Sequence, residues 1–381
     1  VSLTLQPTDP NAPVYPNILP SVPTGESLST TSTLLASNFA RPRVQDYTIG
    51  VQQQLPLKLI LTASYAHTLG DHLEIVTDSN LPAPQFTRTY ELPGGTTFSV
   101  PFSAGVIKTA AGATVSVNAA RPNPTGGAVN VNSSDGKSWY NALILDMHRR
   151  LTAGVQVNGA FTWSKAENTA GSGNGEGAAA ETAFNGGTPA NQFNLASDRG
   201  LSPLDQRYRL VMSAVWEPRG RGLRGFRLSA IETIEAGRPV AEFISVPSLP
   251  FLGTDGNTYN GFGGLMGQGT GGDHDLLPTV GRDSQAGPAN YSLALRLSRE
   301  FRVTERFRME ALAEGFNVFN HSNYNGFNDT IYTAAATTNT TPLATPVMLA
   351  PTAGYLAPIS DSSPPDGTNA RRLQLAVRFR F

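Results

Sequence analysis

The chain has 381 residues, long enough for a large core without a disulfide or metal staple, and its 28 Lys and Arg nearly balance 29 Asp and Glu. A formal net charge of −1 and a charged fraction of only 15% give no electrostatic footprint for a nucleic-acid partner, and the lack of Cys removes disulfides and thiolate metal sites. No run approaches the roughly 20 consecutive apolar residues of a spanning helix, whereas spanning strands need only about 9–11 alternating residues and fit a mean hydropathy of −0.20.

Val1 opens the sequence with neither a Met nor the basic and apolar regions of a secretion signal, as expected of a mature or truncated segment. Residues 1–43 are rich in Pro, Ser, Thr and Asn, with Pro7, Pro10, Pro13, Pro16, Pro20 and Pro23 too dense for a helix or central strand, so a loop or extended segment is expected. From Val44 to Leu55, Tyr47, Ile49 and Val51 alternate with Thr48, Gly50 and Gln52 as a first strand, and Pro56 marks a tight turn. Leu59, Leu61, Ala63 and Tyr65 then alternate with Ile60, Thr62, Ser64 and Ala66 as a second strand running towards His72. A long polar excursion over about 70–137 follows, with room for a small hairpin around Phe98 to Val117.

Trp139 to Arg150 reads as the third strand, and a quick turn leads to a fourth with Val155, Val157, Phe161 and Trp163 on one face. Residues 165–204 form a second long connection that reads as flexible loop. The fifth strand, Gln206 to Trp216, puts Tyr208, Leu210, Met212, Ala214 and Trp216 on one face and Arg207 and Arg209 on the other. A short turn gives the sixth, with Phe226, Leu228, Ala230 and Ile234 opposite Arg227, Ser229 and Thr233; Glu232 falls on the apolar face and does not fit. After a third long connection, 239–287, come a seventh strand with Tyr291, Leu293, Leu295 and Leu297, a short turn at Val303 to Arg306, and an eighth from Phe307 to about Phe319. A last long loop, 321–369, delivers the terminal strand, in which Leu373, Leu375, Val377, Phe379 and Phe381 alternate with Arg372, Gln374, Ala376, Arg378 and Arg380.

Long and short connections alternate without exception. A transmembrane barrel has long loops on its extracellular rim and short turns on its periplasmic rim, whereas a soluble sandwich or propeller has no reason to sort its loops. The expectation is therefore all-β: an antiparallel transmembrane β-barrel, partial, of about nine or ten strands, over residues 44–381. Bacterial single-chain barrels have even strand counts, so nine implies a missed strand or strands supplied from elsewhere.

QDYTIGVQQQLP, SWYNALILDMHRRLTAGVQVNGAFTWSKAEN, LSPLDQRYRLVMSAVWEP, the EAGRP turn, EGFNVFNHSNYNGF and the terminal RRLQLAVRFRF together resemble the C-terminal barrel half of TonB-dependent receptors, most nearly the Oar-like group with a carboxypeptidase-regulatory-like domain. The resemblance runs from about residue 40 to the end. It implies a bacterial outer-membrane location in contact with lipid, recognition of the terminal strand by the barrel-assembly machinery, and uptake of a scarce ligand such as a siderophore, glycan or peptide, without catalysis. It also implies that the N-terminal plug, the remaining strands and the contact with TonB lie in regions this sequence does not contain. The alternative reading is a surface-exposed structural or adhesive β protein.

Local motifs add little chemistry. Gly267, Gly269 and Gly272 match G-x-G-x-x-G without the strand and helix a nucleotide would need, and Asp273, His274 and Asp275 adjoin on one loop, as a solvated turn does. The five histidines show no metalloprotease spacing, and no cofactor is expected. Glu310 and Glu314 read as rungs of a charge ladder with Arg296 or Arg372. Ligand contact is expected from the loop aromatics Tyr259, Phe262, Tyr324 and Phe327, with Arg207 and Arg209 on the polar face of the wall.

Overall fold

The computed structural model describes residues 32–169, 188–266, 274–304, 306–361 and 369–381. Its frame is an antiparallel wall of nine long strands among those residues: β1 (Arg43–Leu55), β2 (Leu59–Asp78), β3 (Val129–Thr152), β4 (Val155–Asn168), β5 (Tyr208–Trp216), β6 (Phe226–Glu235), β7 (Asn290–Arg302), β8 (Arg308–Phe316) and β9 (Arg372–Arg380). Each strand pairs with the next in sequence, so spatial order follows chain order.

Register makes the alternation of single strands into two continuous faces. Ile49 faces Tyr65, Tyr65 faces Leu143, Leu143 faces Trp163 and Trp163 faces Tyr208. Lower on the wall, Trp216 faces Leu228, then Leu297, Ala313 and Leu375 follow across β7, β8 and β9. A slip of one residue in any strand would transfer its apolar set to the polar face. Glu232 does lie on the apolar face, between Met212 and Leu293. Among the described residues no second layer covers this face: Ile49 and Leu375 are each 74% exposed. Exposure on that scale is unfavourable in water and favourable against hydrocarbon, so this is the outer, lipid-facing side.

The connections at one rim are short: Pro56–Lys58, Ala153–Gly154, and the turns over 217–225 and 303–307. At Ala153–Gly154 both residues have positive φ, 53° and 82°, the backbone twist a two-residue hairpin requires. A side chain at Gly154 would also collide with the Glu217 carbonyl. β9 ends at this rim, where Arg380 faces Arg308 and the Phe381 ring lies 5.3 Å from Phe307.

Two bounds are corrected. β2 and β3 extend well past His72 and before Trp139, pairing as far as Asp78 with Asn130 through irregularities near His72, whose φ is 59°. Beyond the bilayer neither face must be apolar, so the alternation that marks a strand fades there. Within the segment expected to be loop or extended, Ser32–Leu35 is a strand lying parallel on Val129–Asn132. The small hairpin expected within Phe98 to Val117 is shorter than that range: Lys108 bridges Thr114 and the Val115 N–H donates to the Ile107 carbonyl at 2.9 Å, while Thr97–Phe102 pairs back with Phe86–Glu91 and Ala104–Lys108 pairs with Thr258–Gly261 of another loop. Strand propensity is local, but the partner is chosen by tertiary packing. Residues 1–31 and the glycine-rich GSGNGEGAAAE stretch lie outside the described residues.

The long loops over 79–128, 236–289 and 317–371 knit into a cap. Its main sheet has six strands in the spatial order His274–Leu276, Phe243–Ser245, Thr330–Ala334, Val347–Pro351, Phe86–Glu91 and Thr97–Phe102. Tyr90, Val100, Ile244, Leu265, Leu277 and Leu349 form its buried core. The second cluster packs Phe251 against Phe86, Phe102 and Tyr259 with centroids 5.0–5.8 Å apart across the group. The main hydrophobic cores of this protein thus lie in its loops, while the wall is one strand thick and leaves its apolar face for lipid.

Candidate functional site

The inner face of the wall is charged and interlocked. Register sets Glu300 directly opposite Glu310, a repulsive pair on its own. Arginines from three strands relieve it: Arg308 reaches Glu300 at 3.1 Å, Arg296 and Arg378 reach Glu310 at 3.5 and 3.6 Å, and Arg380 lies within 3.8 Å of Glu300 and 3.6 Å of Glu310. Arg296 also meets Glu314 at 3.5 Å, and Arg372 lies over the Phe316 ring at 5.6 Å. Towards the short-turn rim the face opens into a basin of about 650 Å³ lined by Glu217, Arg224, Arg227, Glu300, Glu310 and Arg380. Replacing the buried Glu310 by Gln leaves its arginines facing one another. Because those arginines are a third to half exposed, the expected loss is about 1–2 kcal/mol, read from urea unfolding in lipid vesicles.

Where the cap meets the loop over 188–207, a partly open cavity of about 250 Å³ is lined by residues from three long loops. Val100, Leu265, Leu277 and Val280 supply apolar wall, and Asp198, Asp275, Arg282 and Asn191 supply polar groups. Asp198 accepts backbone N–H bonds from Ala190 at 2.9 and 3.1 Å, and Asp275 accepts the Leu265 N–H at 2.8 Å. Burial outweighs these bonds and pushes both carboxyls up to about 6. A raised folded-state pKa favours folding at low pH. The benefit is complete below the ordinary carboxylate range and is lost as pH climbs to about 6. The cap is therefore expected to open more readily at pH 8 than at pH 5, seen as lower amide protection factors, relative to the intrinsic rate at each pH, around 190–198 and 274–277.

The residues predicted for ligand contact are not gathered at one place. Tyr259 belongs to the Phe251 cluster and donates its hydroxyl to Asp255 at 2.7 Å, which raises the phenol's pKa and lowers the carboxyl's. Phe262 lies under Arg121 at 4.7 Å, and Arg121 forms a buried pair with Asp78 at 2.6 Å that ties the first loop to the end of β2. Tyr324 and Phe327 share an edge-on contact at 6.4 Å in a separate two-stranded sheet, with Phe327 buried. Arg207 pairs with Asp205 at 3.3 Å and Arg209 with Glu235 at 2.8 Å, at the loop end of the wall. Sequence reading missed the Asp198–Asp275–Arg282 cavity because its walls come from separate loops. Asp273 and the glycines of the G-x-G-x-x-G run lie outside the described residues, and among the described residues no three His, Asp or Glu side chains gather as a metal cluster.

The family model described as outer membrane beta barrel domain matches residues 2–346. The chain belongs to that family. It is an all-β protein of the bacterial outer membrane, in contact with lipid through its apolar face. No curated protein sequence matches this barrel chain. Among solved structures it is similar to the outer membrane transporter YddB from Escherichia coli, at 10% identity and a TM-score of 0.45, over 93% of this chain and 35% of that one. It is also similar to the ferric-catecholate import receptor Fiu from E. coli K12, at 12% identity and 0.40, over 93% and 30%. The pyoverdine outer membrane receptor FpvA from Pseudomonas aeruginosa PAO1 matches at 10% and 0.39, over 89% and 30%. The barrel chain spans about a third of the length of these structures.

Proposed function

We propose that this wall and cap are the C-terminal part of a TonB-dependent uptake receptor, which captures a scarce siderophore, glycan or peptide outside the cell without catalysis. The observation that carries the reading is the cap: the long loops of one rim form a packed body with its own cavity above a charged inner face. A loop set serving only to connect strands has no need of a core. In this reading Tyr259, Phe262, Tyr324 and Phe327 shape the ligand's approach and Arg207 and Arg209 border its path into the lumen. The terminal strand serves recognition by the barrel-assembly machinery, and the plug and TonB contact are supplied by polypeptide outside this sequence.

Strand direction weighs against a wall shared between copies of these nine strands. β1 and β9 both run towards the short-turn rim, so joining them, within one molecule or between two, would be a parallel junction. Antiparallel closure takes an odd number of further strands. The test is uptake by cells expressing the full-length gene, using a labelled ferric siderophore, an oligosaccharide and a peptide. Loss of uptake of one class on gene deletion and on collapse of the proton-motive force supports the reading. Unchanged uptake with lost surface adhesion supports the structural alternative.

A further inference from the structure

The short-turn rim carries a pattern that neither transport nor assembly requires. Three of its four turns set an exposed aliphatic side chain at the rim, Leu57, Leu223 and Val303, which are 48–76% exposed, while Leu151 lines the inner-face basin. At Leu57 and Lys58 the φ angles are 62° and 58°, a region where Gly, Asn or Asp would be less strained. A turn facing only water gains nothing from such residues.

Just above the turns, two arginines lie on the outer, lipid-facing side. Register puts Arg149 opposite Leu59 and Val157, and Arg299 opposite Phe226 and Ala311. Arg299 is sandwiched between the rings of Phe226 at 4.6 Å and Phe301 at 4.9 Å. Neither arginine has a carboxylate partner among the described residues, whereas the nearby Glu217 and Glu300 are held by inner-face arginines. Trp216, Phe301, Phe307, Phe379 and Phe381 complete an aromatic belt at this level, which places it at the boundary between hydrocarbon and headgroups. An outward guanidinium is costly at mid-bilayer and nearly free at this depth, where its planar fork matches a phosphate.

We infer that this rim is a binding surface for the anionic phospholipid headgroups of the adjoining leaflet, with Arg149 and Arg299 as phosphate contacts and the turn aliphatics inserted shallowly beside them. The inference rests on the membrane location and not on ligand uptake. At about 1 kcal/mol per basic residue, the two arginines enrich anionic over zwitterionic lipid about fivefold or more. The test is the full-length protein in nanodiscs of phosphatidylcholine with phosphatidylglycerol, with bound lipid counted by native mass spectrometry. Wild type should retain phosphatidylglycerol selectively, Arg149→Gln/Arg299→Gln should lose the selectivity, and the inner-face control Arg227→Gln should keep it. If the double variant fails to insert, by heat-modifiable gel mobility, the comparison is made with Arg299→Gln alone against Arg299→Lys. No enrichment in wild type, full enrichment in an inserted Arg299→Gln protein, or equal loss in Arg227→Gln overturns the inference, as does crosslinking of the rim to a protein without lipid selectivity.

Discussion

An arginine in place of Leu375 is expected to prevent stable insertion of the barrel, at a cost of about 2–4 kcal/mol near mid-bilayer. Leu375 is in the middle of β9 on the outer face, opposite Ala313, and nothing among the described residues covers it. The same arginine one residue earlier, Gln374→Arg, should be tolerated, because Gln374 lies opposite Glu314 on the inner face and the new charge gains a partner. Heat-modifiable mobility and the yield of folded protein in outer-membrane fractions read the difference. A sheet with water on both faces would show no such polarity, since either face would accept charge.

Phe251→Ala should have the second large effect, in a different part of the molecule. Phe251 is 1% exposed, packs against Phe86, Phe102 and Tyr259, and supports the guanidinium of Arg88 at 5.0 Å. Emptying that volume costs about 3–5 kcal/mol. The loss should be confined to the cap, because the cluster is built from loop residues and the wall is held by its own ladders. Hydrogen exchange should rise across the loops over 86–108 and 251–261, while the barrel's gel mobility stays that of the folded state. Collapse of both together would show that wall and cap form one cooperative unit.

These two substitutions mark what the sequence exposes and what it hides. β9, β5 and β7 were legible because lipid on one side and water on the other force a strict period of two, as in Leu373, Leu375, Val377 and Phe379. β8 was less clean because Leu312 is buried on the polar face among charged neighbours. The upper ends of β2 and β3 were lost because they leave the bilayer. The cap was illegible for another reason. Tyr90, Ile244 and Leu349 each look like isolated apolar residues in polar loops, and they become a core only when three loops meet. The candidate cavity inherits that difficulty, since no local spacing links Asp198 to Asp275. The inner-face ladder was legible in alternation, since Arg296 joins Glu310 and Glu314 across the β7–β8 pair.

The central claim is that one face of this nine-stranded wall meets lipid and the other meets water. These 381 residues contain no cysteine, so single cysteines are placed along β9 with any cysteine elsewhere in the full-length protein replaced by Ser. Spin labels at 373, 375 and 377 and at 374, 376 and 378, in the full-length protein in liposomes, report collision with oxygen and with a water-soluble nickel complex. A period of two is predicted, with the odd positions open to oxygen and the even positions open to nickel or shielded within the lumen. Equal access at odd and even positions, or nickel access at Leu375, would contradict the account.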